Sequence, residues 1–379
     1  MLGAHEVLSE MSITRREFSR LGALALAAQA FPSVSGVAQG ADRRVGYCVI
    51  GLGRIANHFL RGVAESSTSK ITGLVSGHRG KAERIAQQYG VPKSSIYSYE
   101  EMDRFRDNKS IDAVYVALPN SMHAEYTIRS AKAGKHVLCE KPMSVAVSEA
   151  EAMIAACKAN NVKLMIAYRL HYEPITLKTI KMIRDGAIGT VQAFDSSNGF
   201  NIAPGEWRST KALGGGGPLM DVGIYSLNAA RYLTGEEPER FTAVASTIDH
   251  DGRFNDVEEN LSWTMRFPSG AVASCSTTYG APMPGYYKVF GSKGWLEVAS
   301  FGYQGQHLRA SYSPGGRGTP ATTVDETNPE QDPMHFVRQA DHFSRCILEN
   351  QTPDTPGEEG LRDMQHIQSI YRAAGISMG

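Results

Sequence analysis

Four stretches of the 379-residue chain carry side chains at spacings that can do chemistry. Gly51-Leu52-Gly53-Arg54-Ile55-Ala56 follows the apolar run VGYCVIG and opens a helical pattern, with Ala56 where a third glycine would stand. The glycines permit a tight turn and let backbone N–H groups approach a pyrophosphate, which the helix N-terminus and its dipole then favour. A second apolar run ends in Ser76-Gly77-His78-Arg79-Gly80-Lys81. A site built for NAD calls for Asp or Glu there, on the ribose 2′-hydroxyl. A hydroxyl, a guanidinium and an ammonium suit a 2′-phosphate instead, so this ending predicts NADP, with a solvated basic turn as the plain alternative. Lys141, in HVLCEKP, stands at the end of another apolar run, where a lysine points into the ligand crevice of a doubly wound sheet. In GGGGPLMDVGIY, four glycines lead into a helix on which Asp221 and Tyr225, at i and i+4, share a face. By residue type alone, a tyrosine on an amphipathic helix is usually core filling with its hydroxyl at a surface.

The elements that must position these residues are legible as two halves. From Val45 to Asn161, the runs 45–51, 71–77, 111–119 and 136–142 alternate with helical stretches, and their near-continuous apolar character suits parallel strands covered on both faces. From 163 the pattern changes. VEENLSWTMRF puts Val257, Leu261, Trp263, Met265 and Phe267 on one face, and GAVASCSTTYG, YYKVFG and GWLEVA follow after turn residues. That alternation predicts a large, mostly antiparallel sheet with one face on a core and the other open to pair with a second subunit. Gly302–Thr327 reads as a polar, Gly-rich surface loop, and Met334–Glu349 and Glu358–Ala374 as closing helices. The expected fold class is α/β, with a doubly wound nucleotide-binding domain at 41–162 and a second α/β domain at 163–379.

Residues 1–40 read as a leader and short arm. Arg15-Arg16 with Phe18, followed by an apolar run from Leu21 to Phe31, has the form of a twin-arginine export signal, and that run is too short to span a bilayer. Periplasmic localisation and no membrane attachment after leader removal are the expectations. The 39 Lys and Arg balance the 39 Asp and Glu, with no basic block beyond the leader, which gives no electrostatic reason for a nucleic-acid partner. A small neutral substrate fits better. The five cysteines are scattered among apolar neighbours and read as buried free thiols. The eleven histidines form no ligand-spaced cluster, so no metal is expected.

At HVLCEKPMS the chain resembles the Gfo/Idh/MocA oxidoreductases, whose signature is Glu-Lys-Pro after a Rossmann strand. The likeness extends through PNSMHAEY, YRLHY, EWR and LGGGGPLMDVGIYSLNAARYL, and with the export signal it is nearest the periplasmic glucose–fructose and aldose–aldose oxidoreductase branch. The resemblance implies a Rossmann domain followed by an open-sheet domain, with NADP kept bound while one sugar is oxidised and a second reduced. It implies Tyr225 as acid/base, Lys141 as the cation beside the sugar C1 oxygen, Asp221 as the group orienting them, and a cis Lys141–Pro142 bond. It places Pro119, Asn120 and His123 beside the nicotinamide, with Glu140 next to Lys141. It has Tyr168, Trp207 and Arg208 close over the cofactor, and Arg169, His171 and Tyr172 line the sugar pocket. The implied partners are small sugars and further copies of the chain, as a homodimer or homotetramer through the C-terminal sheet. Two other readings are an NADP-dependent aldose dehydrogenase that releases its cofactor and a glycosidase that uses a nicotinamide transiently. The arm before Asp42 is shorter than the one that wraps the cofactor in glucose–fructose oxidoreductase.

Overall fold

Strands that are apolar along their whole length cannot leave a face in water, and here six of them stack in parallel between helices. The computed structural model of the chain describes residues 43–378, so the expected leader and arm lie outside the described residues. The parallel strands are β1 (Val45–Ile50), β2 (Ser69–Val75), β3 (Ile96–Tyr97), β4 (Ala113–Val116), β5 (His136–Cys139) and β6 (Leu164–Ile166). Their order is β3-β2-β1-β4-β5-β6, every pair parallel, which is the doubly wound dinucleotide-binding arrangement. Helices α1 (Arg54–Glu65), α2 (Arg79–Tyr89), α3 (His123–Lys132) and α4 (Val147–Ala159) supply the crossovers. β6 pairs with β5, so the parallel sheet runs past the expected boundary at 162. β3 is two residues long, too short to carry a periodic signal.

After α5 (Pro174–Arg184) comes an eight-stranded sheet, and α6 (Ile224–Thr234) packs on its inner face. Its strands are β7 (Val191–Gly199), β8 (Arg240–Ser246), β9 (Asn260–Arg266), β10 (Val272–Thr278), β11 (Met283–Gly291), β12 (Gly294–Ala299), β13 (His307–Tyr312) and β14 (Thr322–Thr327). Only β7 and β10 pair in parallel. Leu261, Trp263 and Met265 of β9, with the flanking Val257 and Phe267, are all buried, as their alternation predicts. The opposite face leaves Val244 73%, Val272 49% and Phe290 39% exposed. The segment expected as a loop at Gly302–Thr327 instead contains β13 and β14. They pair at the sheet edge, where a polar, half-exposed strand gives little apolar alternation to read. Helix α7 (Met334–Leu348) packs on α1, and α8 (Gly357–Ala373) on α4 and β8. All five cysteines are free and buried. Among the described residues no helix is long and apolar enough to cross a membrane, and no group of three His, Cys, Asp or Glu is placed to hold a metal.

The glycine run 214–217 sits where the two halves meet. A Cβ on Gly217 would lie 2.3 Å from the Glu258 carbonyl oxygen, so only glycine fits. The buried Glu258 carboxylate accepts from the N–H of Gly217 at 3.0 Å, from the N–H of Leu219 at 3.4 Å and from the Tyr371 hydroxyl at 2.8 Å. It thereby caps a wide π turn, Leu219–Gly223, that runs directly into α6. Burial raises the proton affinity of this carboxyl, and the bonds from Tyr371 and the backbone oppose that rise. Glu258→Ala leaves two helix N–H groups and a phenol unpaired, so the urea midpoint should fall by the equivalent of about 2–4 kcal/mol. A midpoint matching wild type would remove the cap from this account.

Candidate active site

A cavity of about 930 Å³ opens between the C-terminal ends of the parallel strands and the inner side of the second sheet. This is the crevice where doubly wound sheets bind their ligands, because successive strand ends and helix N-termini converge there. Its walls come from the turns after β1, β2, β4 and β5, from Arg169, from the Asp221–Tyr225 turn, and from segments 198–200 and 300–303.

The end formed by the first turn fits a dinucleotide. Gly51 has φ +87°, and a Cβ on it would lie 2.5 Å from the Ala117 carbonyl oxygen. A Cβ on Gly53 would meet nothing within 4 Å, so its backbone is bare toward the cavity. Helix α1 has no side-chain cap and no acidic residue in its first turn, which leaves its N–H groups for an anion. Leu52, Arg54 and Ile55 line the same end. Ala56 is fully buried, packing the helix on the sheet as the third position of such a turn does. At the far end Ser76, Gly77, His78 and Lys81 line the wall, with Tyr99 across from Gly77. Arg79 does not reach the cavity, because its guanidinium donates to the Ile96 carbonyl at 3.0 Å and to Glu83 at 3.0 Å. Helical geometry turns it away from the cavity, and Lys81 is the cation of this stretch that lines the wall.

The other end holds the reactive cluster. The Lys141–Pro142 bond is cis. His123 braces that turn, with Nδ1 2.8 Å from the Pro142 oxygen and Nε2 2.9 Å from the Leu118 oxygen. Burial lowers the His123 pKa to about 4 against the pull of those carbonyls, so the ring stays neutral. Lys141 Nζ donates to the Asp221 carbonyl at 2.5 Å and lies 3.2 Å from its carboxylate. It stands 4.7 Å from the centre of the Tyr225 ring. Burial works to lower the lysine pKa, but Tyr225, Asp221 and Glu140 carry it above the ordinary value, so Lys141 is cationic. Asp221 is held below the ordinary carboxylate range. Burial opposes this, and Lys141, Arg208 and the Tyr279 hydroxyl, which donates at 2.9 Å, overcome it. Glu140 is buried beside Lys141 and accepts from the Tyr115 hydroxyl, with its proton affinity raised by burial. Pro119 and Asn120 line the wall, and the Asn120 amide donates to the Gly214 carbonyl at 2.9 Å, tying the two halves together.

Arg169 reaches the cavity, 3.5 Å from the Tyr225 hydroxyl, while its guanidinium also holds the carbonyls of Phe301 and Gly302. Trp207 and Arg208 line the wall, stacked at 4.5 Å. Three residues expected at the ligand are elsewhere. The Tyr168 hydroxyl donates to Asp363 at 2.6 Å, His171 meets Asn228 at 2.8 Å, and the Tyr172 hydroxyl faces the Met165 sulfur. The segment Arg169–Tyr172 forms a tight 3-10 turn, which aims its aromatic rings into the protein rather than the crevice. Tyr168 and His171 belong instead to a polar network with Arg231 and Asp363 behind α6, while Tyr172 packs beside Met165 and His342. Phe301 and Tyr303 are cavity residues that no motif marked. The Phe301 ring stacks on Tyr225 at 5.8 Å, and the Tyr303 ring lies against His58 at 4.2 Å and under Arg169 at 4.5 Å.

A dinucleotide turn facing a Lys–Asp–Tyr cluster across one crevice defines a nicotinamide-dependent oxidoreductase. Residues 45–168 match the oxidoreductase family with NAD-binding Rossmann fold, and residues 176–297 match the GFO/IDH/MocA C-terminal domain, so the chain belongs to the Gfo/Idh/MocA family. It is 46% identical to the aldose–aldose oxidoreductase of Caulobacter crescentus, whose crystal structure contains glycerol. That likeness has a TM-score of 0.83 and covers 88% of this chain and 98% of the other. It is 30% identical over 342 residues to a D-xylose 1-dehydrogenase [NADP(+)] of Haloarcula marismortui, covering 88% of this chain and 92% of the relative. A levoglucosan dehydrogenase solved with NADH and levoglucosan, at 23% identity and a TM-score of 0.76, shares the fold.

Lys81→Ala should weaken NADP binding about tenfold or more and leave NAD binding nearly unchanged, since only NADP presents a 2′-phosphate to that ammonium. Titration of both coenzymes by fluorescence checks this, and equal losses would exclude the assignment.

Proposed function

We propose that the protein is an exported sugar–sugar oxidoreductase that keeps NADP bound. It oxidises an aldose at C1 to the lactone and reduces a second sugar, aldose or ketose, to an alditol. The observation that carries this reading is the Lys141–Asp221–Tyr225 cluster at the end of a dinucleotide crevice, in a chain 46% identical to an aldose–aldose oxidoreductase. The NADP(+) named for the D-xylose relative, together with Lys81 and the absence of an acid at Ser76–Lys81, supports NADP over NAD. The twin-arginine pattern supports export, and a coenzyme recycled in place removes the need for a free pool outside the cytoplasm. The exposed apolar residues Val244, Val272 and Phe290 on the open sheet support pairing with a further copy of the chain, as a homodimer or homotetramer.

Ser76, His78, Lys81 and the first turns of α1 and α2 hold the phosphates. NADP supplies the hydride acceptor in one half-reaction and the donor in the other. The proton is the task of the chain's own side chains. In oxidation Tyr225 enters as the phenolate and takes the C1 hydroxyl proton to become the phenol, while Lys141, kept charged, stabilises the negative charge building on the sugar oxygen. In reduction the same two groups return that proton, as microscopic reversibility requires. Asp221 keeps Lys141 aimed at the sugar oxygen, and Arg208 and Tyr279 keep Asp221 ionised.

Protein purified without added coenzyme should emerge from gel filtration with NADP, and an aldose alone should reduce it once and then stop. Turnover should resume with an acceptor sugar, with ping-pong kinetics. Tyr225→Phe should keep the coenzyme and lower turnover about 10²–10⁴-fold. Steady turnover of an aldose with free NADP⁺ by protein that elutes empty would overturn the retained-coenzyme function in favour of a releasing dehydrogenase.

A further inference from the structure

One chain of ion pairs runs outward along the cavity wall, beyond the groups that serve proton transfer. Arg54, the first residue after the glycine turn, reaches both carboxylate oxygens of Glu206 at 3.2 Å. Glu206 also accepts from Arg208 at 3.2 Å, and Arg208 Nε lies 3.3 Å from the Asp221 carboxylate. Side-chain exposure falls along the chain, from 75% at Arg54 to 30% at Glu206, 23% at Arg208 and 19% at Asp221. Solvent therefore screens the outer pair most and the inner pair least.

The segment that carries Glu206 is anchored at its flanks to the second half of the chain. The Ile202 N–H donates to the Tyr279 carbonyl at 2.9 Å, and the Lys211 N–H to the Asp256 carboxylate at 3.1 Å. Between these anchors Ala203, Pro204 and Gly205 are exposed, and a Cβ on Gly205 would meet nothing within 4 Å. Among the described residues, Glu206 makes the only hydrogen bonds from residues 203–206 to the dinucleotide-binding half. The Glu206 carboxylate lies between two guanidiniums, so it presents no unpaired negative charge to a pyrophosphate on the α1 N-terminus.

We propose that Glu206 is a coenzyme-retaining residue. Its carboxylate clasps Arg54 and ties the 203–206 segment down across the crevice mouth, so a dinucleotide seated on the glycine turn leaves only when that bridge opens. This rests on the retained-coenzyme function proposed above, and it assigns the retention to a segment of the substrate half. The clasp acts on the dissociation rate, because it is an obstacle to leaving rather than a contact with the sugar.

The test loads the full chain with NADPH and follows loss of its fluorescence after mixing with excess NADP⁺. Glu206→Gln preserves shape and removes the charge, and release should quicken about five- to tenfold, the range expected of a partly screened pair in a network. In an Arg54→Gln background the same substitution should change the release rate less than twofold, since its partner is already absent. Release by E206Q at or below the wild-type rate, or an equal acceleration in both backgrounds, overturns the clasp. Wild-type protein that elutes empty from gel filtration counts against the retained-coenzyme function alone, because the release-rate ratio still reports on Glu206.

Discussion

The contact between Lys141 and Asp221 is the one on which the site depends, because it joins the two sheets with charges removed from water. Lys141 keeps only 10% of its side chain exposed and Asp221 19%. A lone ammonium so placed would give up its proton, and a lone carboxylate would take one. Together, with Arg208 and Tyr279 on the carboxylate and Glu140 beside the lysine, both remain ionised. The lysine comes from the end of β5 and the aspartate from the turn before α6, so their contact at 3.2 Å ties the second half to the first at the reactive cluster. Chemistry and domain geometry share this one constraint.

Much of the remaining structure serves to hold the aspartate's side of that pair. A π turn is an uncommon helix start, and it persists here because Glu258 satisfies its leading N–H groups and the glycine run passes against the Glu258 backbone where no side chain fits. Behind the helix, Arg231 is 4% exposed and is matched by Asp363, Glu359 and Glu237. Removing one member of such a set leaves an unpaired buried charge, which is strongly destabilising. Tyr168 and His171 belong to this bracing network, which gives these residues of the YRLHY stretch a structural rather than a ligand-binding role.

The parts legible in the sequence are those where local pattern and final position coincide. The glycine turn, the parallel strands and the buried face of β9 follow from spacing alone, and Lys141 follows from its place at a strand end. Asp221 and Tyr225 do share a face, since Lys141 touches the carboxylate of one and the ring of the other, even though the turn between them is wider than an ideal helix. The illegible parts are decided by direction within a turn or by contacts far apart in the chain. Arg79 and Lys81 sit two residues apart in one basic stretch, yet α2 turns the first toward Ile96 and Glu83 and leaves the second in the cavity. Phe301 and Tyr303 reach the site through Arg169, more than 130 residues earlier, and no local pattern encodes that bond.

The distribution of charge around the cavity separates its two ends. The whole chain balances its acids and bases, but the cavity wall carries five cationic side chains, Arg54, Lys81, Lys141, Arg169 and Arg208, against three acids, Glu140, Glu206 and Asp221. A neutral sugar gives no reason for that excess, whereas a ligand with several phosphate charges does. Arg54 and Lys81 stand at the two helix N-termini, where dipole and ammonium or guanidinium act on the same anion. All three acids are at the opposite end or on the segment that crosses the mouth. There they keep Lys141, Arg208 and Arg54 from acting as free cations toward the solvent. The end around Lys141 is thereby left close to neutral overall, with the Lys141 ammonium and the Tyr225 side chain facing the cavity.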